Sequence, residues 1–279
     1  MPHDHDRELA DNQKLWNAWT PIHTSGPFYN VEKFRNDRRD IRIRQWEREE
    51  VGDVSGKALL HVQCHFGLDT LSWARLGANV TGIDFSEAAV EFASKLASET
   101  GLANVSRFVV SGVYDLPETL AGETFDVVYT SRGAIGWLPD IDRWGQIVAS
   151  FVKPGGVFYI HDAHPMLEVI DEEQISPNDL HLAYEYWSGD AITAPVQGSY
   201  ADPGADVDAE LEHGWNHSMG EIVTALARGG LRIEFLNEKR TIAWPIGWLV
   251  EVANGQYGFP PDQVGTMPLM FSLRAVKDA

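Results

Sequence analysis

Leu59-Leu60-His61-Val62-Gln63-Cys64-His65-Phe66-Gly67 runs from an apolar strand into a loop, and a helix pattern follows. Val80-Thr81-Gly82-Ile83-Asp84-Phe85-Ser86 is then a second strand with an acid at its tip. Strand, tight loop, helix and strand with a terminal carboxylate can hold a nucleoside. The loop and the helix start offer backbone N–H groups, and the Asp84 carboxylate can accept hydrogen bonds from a ribose diol. The plainer reading of Asp84 is an acid that helps to cap the next helix. The loop carries Gln63 and His65 where such loops ordinarily have glycine. A Cβ there opposes φ > 0 and fills space beside a ligand. Either the backbone takes another path, or these side chains touch the ligand themselves.

Other residues carry possible chemistry. His161-Asp162-Ala163-His164 closes a later strand. His164 there has the near-neutral pKa of a general base, although a histidine that bonds loop backbone fits equally. His217, within Trp215-Asn216-His217-Ser218, is a second candidate base, set against a role in starting a helix. Arg132 follows Tyr129-Thr130-Ser131 and can grip an anionic substrate group bidentately, or pair with a surface acid. His23, Phe28 and Tyr29 can fold over a ligand from the N-terminal segment, or merely fasten that segment down. Trp137, like several of the tryptophans, can wall a flat or cationic small molecule, although most tryptophans are core. Cys64 reads as a packed thiol whose backbone, rather than sulfur, faces the ligand. His61, Cys64 and His65 match no closed metal site, and no metal is expected.

The elements that position these residues are legible from pattern. Residues 1 to about 50 are helical and amphipathic around Leu15, Trp16, Trp19, Ile41, Ile43 and Trp46, with a turn-rich loop over Thr20–Asn30. Strands follow at Ala58–Val62, Val80–Ile83, Val105–Val110, Phe125–Tyr129 and Val157–His161. Helices lie between them at Thr70–Leu76, Glu87–Thr100 and Ile141–Phe151, the last ended by Lys153-Pro154-Gly155-Gly156. Ser86 is placed to cap the second helix, and Gly77 and Gly101 to end the first two. The alternation implies a parallel sheet covered on both faces, with ligands at the C-terminal strand ends. Residues from about 166 to 215, acidic and aromatic, break the rhythm and read as strand pairs or a flap. A helix at Met219–Arg228 and strands at Leu231–Asn237 and Met267–Val276 complete the pattern.

The 279 residues carry a formal charge of −19, which repels phosphate backbones and argues against nucleic acid as a partner. Arg35, Arg38, Arg39, Arg42, Arg44 and Arg48 are interleaved with acids, as on a solvated helix face. One cysteine excludes an internal disulfide and fits a reducing compartment. Met1-Pro2-His3-Asp4-His5-Asp6 is unlike a signal peptide, and no apolar run approaches the roughly 20 residues of a membrane span. A soluble, cytoplasmic protein with no membrane partner is expected.

Jointly, these pieces resemble the class I S-adenosylmethionine-dependent methyltransferases, strongly over residues 57–162 and more weakly over the final helix and two strands. Leu59–Gly67 looks like the family's glycine-rich loop, Gly82–Ser86 its acid-tipped strand, Phe125–Gly136 its substrate-facing loop, and Lys153–His161 its Pro-Gly-Gly turn and fifth strand. The string from His61 to Arg75 is similar to a bacterial subfamily acting on small molecules. The resemblance implies an α/β, Rossmann-like, doubly wound and mostly parallel seven-stranded sheet with an antiparallel last strand. It would carry an N-terminal helical lid (1–56) on a methyltransferase domain (57–279), with a substrate-side cap at about 166–215. The cofactor would be S-adenosylmethionine, leaving as S-adenosylhomocysteine. Around it would stand Tyr29, Gln63, Cys64, His65, Gly67, Asp84, Phe85, Ser86, Gly112, Val113 and Ser131. His23, Arg132 and Trp137 would meet the substrate, and His164 and His217 are the catalytic candidates.

The chain departs from the family at His61, where the loop's acid is usual, and at Gly112, where an acid for the adenine amino group is looked for. Adenine is therefore expected against backbone groups and between Phe85 and Val113. Methyl transfer to oxygen or nitrogen of a small molecule is the expected reaction. The altered loop keeps two rivals open: a non-methylating enzyme on the same scaffold, and a silent nucleoside-binding protein.

Overall fold

Asn12, Leu15, Trp19 and His23 recur at three- and four-residue spacing, and they form the buried face of the first helix, α1 (Asp6–Ser25). α1 is longer than the sequence suggests. Thr20–Asn30 reads as a turn-rich loop, yet the helix continues through Pro21 to Ser25. Pro21 removes one backbone donor. The Thr20, Thr24 and Ser25 hydroxyls bond back to the carbonyls of Trp16, Thr20 and Pro21 within the helix, and the buried face outweighs the proline. Two short helices follow, α2 (Val31–Asn36) and α3 (Gln45–Val51).

In this computed structural model, residues 5–171, 181–253, 255–262 and 266–279 are described. After α3 the chain alternates: β1 (Ala58–Val62), α4 (Leu68–Arg75), β2 (Asn79–Asp84), α5 (Glu87–Glu99), β3 (Ser106–Val110), α6 (Leu116–Thr119), β4 (Phe125–Ser131), α7 (Ile141–Phe151) and β5 (Val152–Ala163). Then come α8 (Pro165–Glu168), the strand pair β6 (Ile192–Pro195) and β7 (Leu211–Gly214), α9 (Met219–Arg228), β8 (Leu231–Lys239), β9 (Thr241–Ile242), β10 (Val250–Ala253), β11 (Gln256–Gly258) and β12 (Met270–Lys277). The main sheet has the order β3-β2-β1-β4-β5-β12-β8. β1 to β5 pair in parallel, and β12 lies antiparallel between β5 and β8. The expected doubly wound sheet with its antiparallel last strand is therefore present.

Alternate residues of the strands feed different layers, as the pleat requires. Leu60, Val62, Val128, Phe158 and Ile160 face α7 and α9, while Leu59, Val127, Tyr129, Val157 and Tyr159 face Trp73 of α4 and the α3 region. Gly145 of α7 lets that helix lie against α9, since a Cβ there would come within 2.6 Å of the Ala225 carbonyl carbon. Two details differ from the sequence reading. β5 begins at Val152, so Lys153–Gly156 is a bulge in its pairing with β4 rather than a turn before it. The small antiparallel sheet β10-β11-β9 was not foreseen, because strands of two to four residues leave no periodicity to read. Among the described residues, no helix is long and apolar enough to cross a membrane.

Candidate active site

The loop after β1 keeps the backbone path of a glycine loop without the glycines. Gln63 (φ 59°), His65 (φ 52°) and Gly67 (φ 85°) are all left-handed. For a side-chain-bearing residue this costs about 1–2 kcal/mol and persists only where the surroundings enforce it. Cys64 N–H donates to the Ile83 carbonyl at 2.8 Å, and the Cys64 carbonyl accepts from Gly67 N–H. The Cys64 N–H, expected to face a ligand, is thus spent within the fold, and its thiol is buried against Gly82. Gly67 is required for packing: a Cβ there would strike Phe108 and Ala93 at 2.9 Å.

At the tip of β2, Asp84 is 6 % exposed. Its carboxylate accepts from His65 N–H at 2.8 Å and Ser86 N–H at 3.0 Å. Burial raises its pKa to about 6 against these hydrogen bonds, which favour the charge. Ser86 caps α5 and donates its hydroxyl to Asn17 of α1. Gln13 of α1 also reaches the Phe85 carbonyl at 2.7 Å, so α1 lies along residues 85–88.

Beside these strand ends opens a cleft of about 1460 Å³. Gln63, Phe85, Gly112, Val113 and Trp137 of the expected set line it. Tyr114, Asp140 and the start of α9, which the sequence does not single out, line it as well, and so do Asp6, Leu9 and Gln13 at the start of α1. Tyr114 Oη accepts from Asp140 N–H at 2.8 Å and donates to the Asp140 carbonyl, tying these two parts of the wall together. Gln63 Nε2 donates to the Ala134 carbonyl at 2.7 Å. That bond orients the amide and leaves Oε1 buried without a partner.

The remaining expected residues lie elsewhere. Ser131 is buried beside His61. His23, Tyr29 and His65 face one another on the other side of the loop, with His65 Nε2 3.1 Å from His23 Nδ1. Arg132 does not await an anionic substrate. Its guanidinium donates to Asp69 at 2.5 Å and to Glu47 at 2.9 Å, and its Nε faces His161. Burial pulls its pKa down, but Asp69 and Glu47 outweigh burial and hold it raised. His164 caps α8 through Nδ1 and meets Glu238 through Nε2 at 3.0 Å, away from the cleft. His217 lines a second cavity of about 210 Å³ that shares Trp137 with the first. Its Nε2 donates to the Leu138 carbonyl at 2.7 Å, leaving Nδ1 to accept from Ser188. Burial lowers its pKa, so its ring is neutral. Asp162, overlooked in the sequence, accepts from Gly133, Ala134 and Ile135 N–H and shapes the loop after β4.

A family model described as a methyltransferase domain matches residues 60–160, the span from β1 to β5 that builds the cleft. This span is similar to a methyltransferase domain. The chain is 30% identical over 155 residues to a ubiquinone biosynthesis O-methyltransferase from Acinetobacter baylyi, covering 55% of this chain and 60% of that protein. It is 32% identical over 149 residues to one from Rhizobium leguminosarum, covering 51% and 56%. The chain thus spans under two thirds of the length of these relatives. Among solved structures, an S-adenosylmethionine-dependent methyltransferase from Listeria monocytogenes superposes with a TM-score of 0.60 at 20% identity, covering 83% of this chain and 96% of that one. A DhpI complex with S-adenosylhomocysteine superposes at 0.55 and 16% identity, covering 97% of both. The main sheet therefore has the fold of these methyltransferases, and the cleft lies where its strand order reverses beside β1.

Proposed function

We propose that this protein transfers a methyl group from S-adenosylmethionine to an oxygen or nitrogen of a small molecule. The observation that carries the reading is the convergence of Gln63, Phe85, Gly112 and Val113, from the ends of β1, β2 and β3, on one cleft, with Asp84 buried one residue before Phe85. These residues fit such a cofactor. Asp84 accepts one hydrogen bond on each oxygen and retains capacity for a diol. Phe85 and Val113 offer apolar faces to a purine. The orphaned Oε1 of Gln63 is an acceptor for an ammonium or hydroxyl. When bound, the cofactor supplies a methyl already activated on a sulfonium, and the protein's work is alignment and exclusion of water.

A cleft of about 1460 Å³ exceeds the roughly 300–1,000 Å³ of a one-ligand pocket, so a second molecule has room beside the first. Aromatic walls from Trp137 and Trp187 suit a flat or cationic acceptor. An amine needs only to arrive deprotonated. A hydroxyl needs a base, and neutral His217, on the wall of the adjoining cavity, is the better situated of the two histidines. Its Nδ1 would accept the proton once Ser188 swings away.

Calorimetry with S-adenosylmethionine, S-adenosylhomocysteine and NAD, followed by transfer of labelled methyl to a panel of amines, phenols and alcohols, tests the reading. Binding of both sulfur nucleosides but not NAD, with label appearing in an acceptor, is expected. Binding of neither overturns it, and binding without transfer to any class favours the silent nucleoside-binding rival.

A further inference from the structure

His65 holds a left-handed backbone, and its ring does not line the cleft. It enters a cluster assembled from four separate segments. Its centroid lies 5.1 Å from Trp16 and 5.1 Å from His23, both on α1, and 5.6 Å from Tyr29. His23 in turn stands 2.7 Å from Ser199 Oγ and 4.7 Å from the Tyr200 ring, between β6 and β7. Trp137, on the loop after β4, meets Trp16 at 5.2 Å. We propose that His65 is a latch: through His23 it holds α1 and the Ser199–Tyr200 turn shut over the loop after β1, and so governs release of the nucleoside from the cleft.

This rests on the reading of the cleft as a sulfur-nucleoside site. Three observations favour a latch over passive packing. The contact is polar and continuous, from His65 through His23 to Ser199, so opening any joint strands a buried donor or acceptor. α1 is pinned a second time by Gln13 and Asn17 on residues 85–88, so it spans the tips of both β1 and β2. Finally, the His65 N–H is itself bonded to Asp84, so movement of the ring is felt by the carboxylate proposed to hold the ribose. A glycine at 65 would relieve the backbone and lose every ring contact. The side chain is therefore retained at a cost that packing elsewhere in the loop does not explain.

The test compares wild type with His65→Gly, His23→Ala and the double variant. S-adenosylhomocysteine release is followed by stopped-flow tryptophan fluorescence, and acrylamide quenching is measured without ligand. His65→Gly suits the backbone it replaces and is expected to fold. Each single variant is expected to release S-adenosylhomocysteine about tenfold faster, the worth of one buried hydrogen bond. The double variant should be no faster than the faster single, because both remove the same contact. Quenching should rise as Trp16 and Trp19 become accessible. An unchanged release rate in His65→Gly, or a double variant whose effect is the product of the singles, overturns the latch. If wild type binds no S-adenosylhomocysteine, the cleft reading fails instead. Quenching then decides the latch alone, and no rise in His65→Gly overturns it.

Discussion

The Asp84 carboxylate accepts the His65 backbone N–H at 2.8 Å, joining the tip of β2 to the left-handed loop after β1. The proposed ribose acid and the irregular loop are thus one structural unit, and disturbing either disturbs both.

Burial raises the Asp84 pKa to about 6, above the unfolded value of about 3.9. The folded state therefore holds the proton more tightly. This group's contribution to stability is full below about pH 4 and is lost as pH rises through about 6. A ribose diol donates hydrogen bonds and so needs the ionised form. S-adenosylhomocysteine affinity is expected to climb with pH up to about 6 and level off above it. Asp84→Asn should lose roughly tenfold to a hundredfold in affinity at pH 7.5, and its residual binding should be flat between pH 5 and 8. Calorimetry across that range checks both; a flat wild-type curve contradicts the assignment.

Arg132 is expected to matter for stability. The Glu47 side chain it meets is fully buried. Arg132→Ala would leave that carboxylate uncompensated, at a cost of about 3–5 kcal/mol in urea unfolding. Arg132→Lys should fall between, since an ammonium cannot reach Glu47 and Asp69 as a guanidinium fork does. A loss within about 0.5 kcal/mol, with acceptor affinity reduced instead, would return Arg132 to the substrate.

Gly145→Ala tests the α7–α9 contact. Helix propensity alone would favour alanine by about 1 kcal/mol. Here the added Cβ meets the Ala225 backbone at 2.6 Å, which must move. A net loss of about 1–3 kcal/mol is expected, read by thermal or urea unfolding, and any gain in stability refutes the close approach.

The sequence exposes what is local and periodic. The alternation of Leu59 with Leu60 and of Val127 with Val128 announces strands buried on both faces, and the strand-tip carboxylate of Asp84 marks the ligand end of the sheet. Contacts between distant segments leave no such trace. Arg132 meets Glu47 and Asp69 across 85 and 63 residues, so its spacing from Tyr129 carries no sign of them. Gln63 and His65 raise the right question, and only the backbone answers it: the chain keeps the glycine path and sends one side chain to the cleft and the other to α1. Asp162 has a signal of the kind used for Asp84, an acid at a strand end, but its partners are four backbone N–H groups, three of them in the loop after β4, that no sequence pattern marks.

Gln63 is where stability and binding should separate. Gln63→Gly removes the strain of φ 59° but also the hydrogen bond to the Ala134 carbonyl. These two effects are each worth about 1 kcal/mol and oppose one another, so unfolding stability should change by under about 1 kcal/mol. The cleft, however, loses the orphaned Oε1 that the proposed ligand would satisfy. S-adenosylhomocysteine affinity should therefore fall about tenfold, the worth of one hydrogen bond to a charged donor. Adenosine, which lacks the amino-acid end, should bind the variant and the wild type alike. Equal losses for both ligands would mean that Gln63 shapes the loop without contacting the amino-acid end, and unchanged affinity for both would remove it from the site.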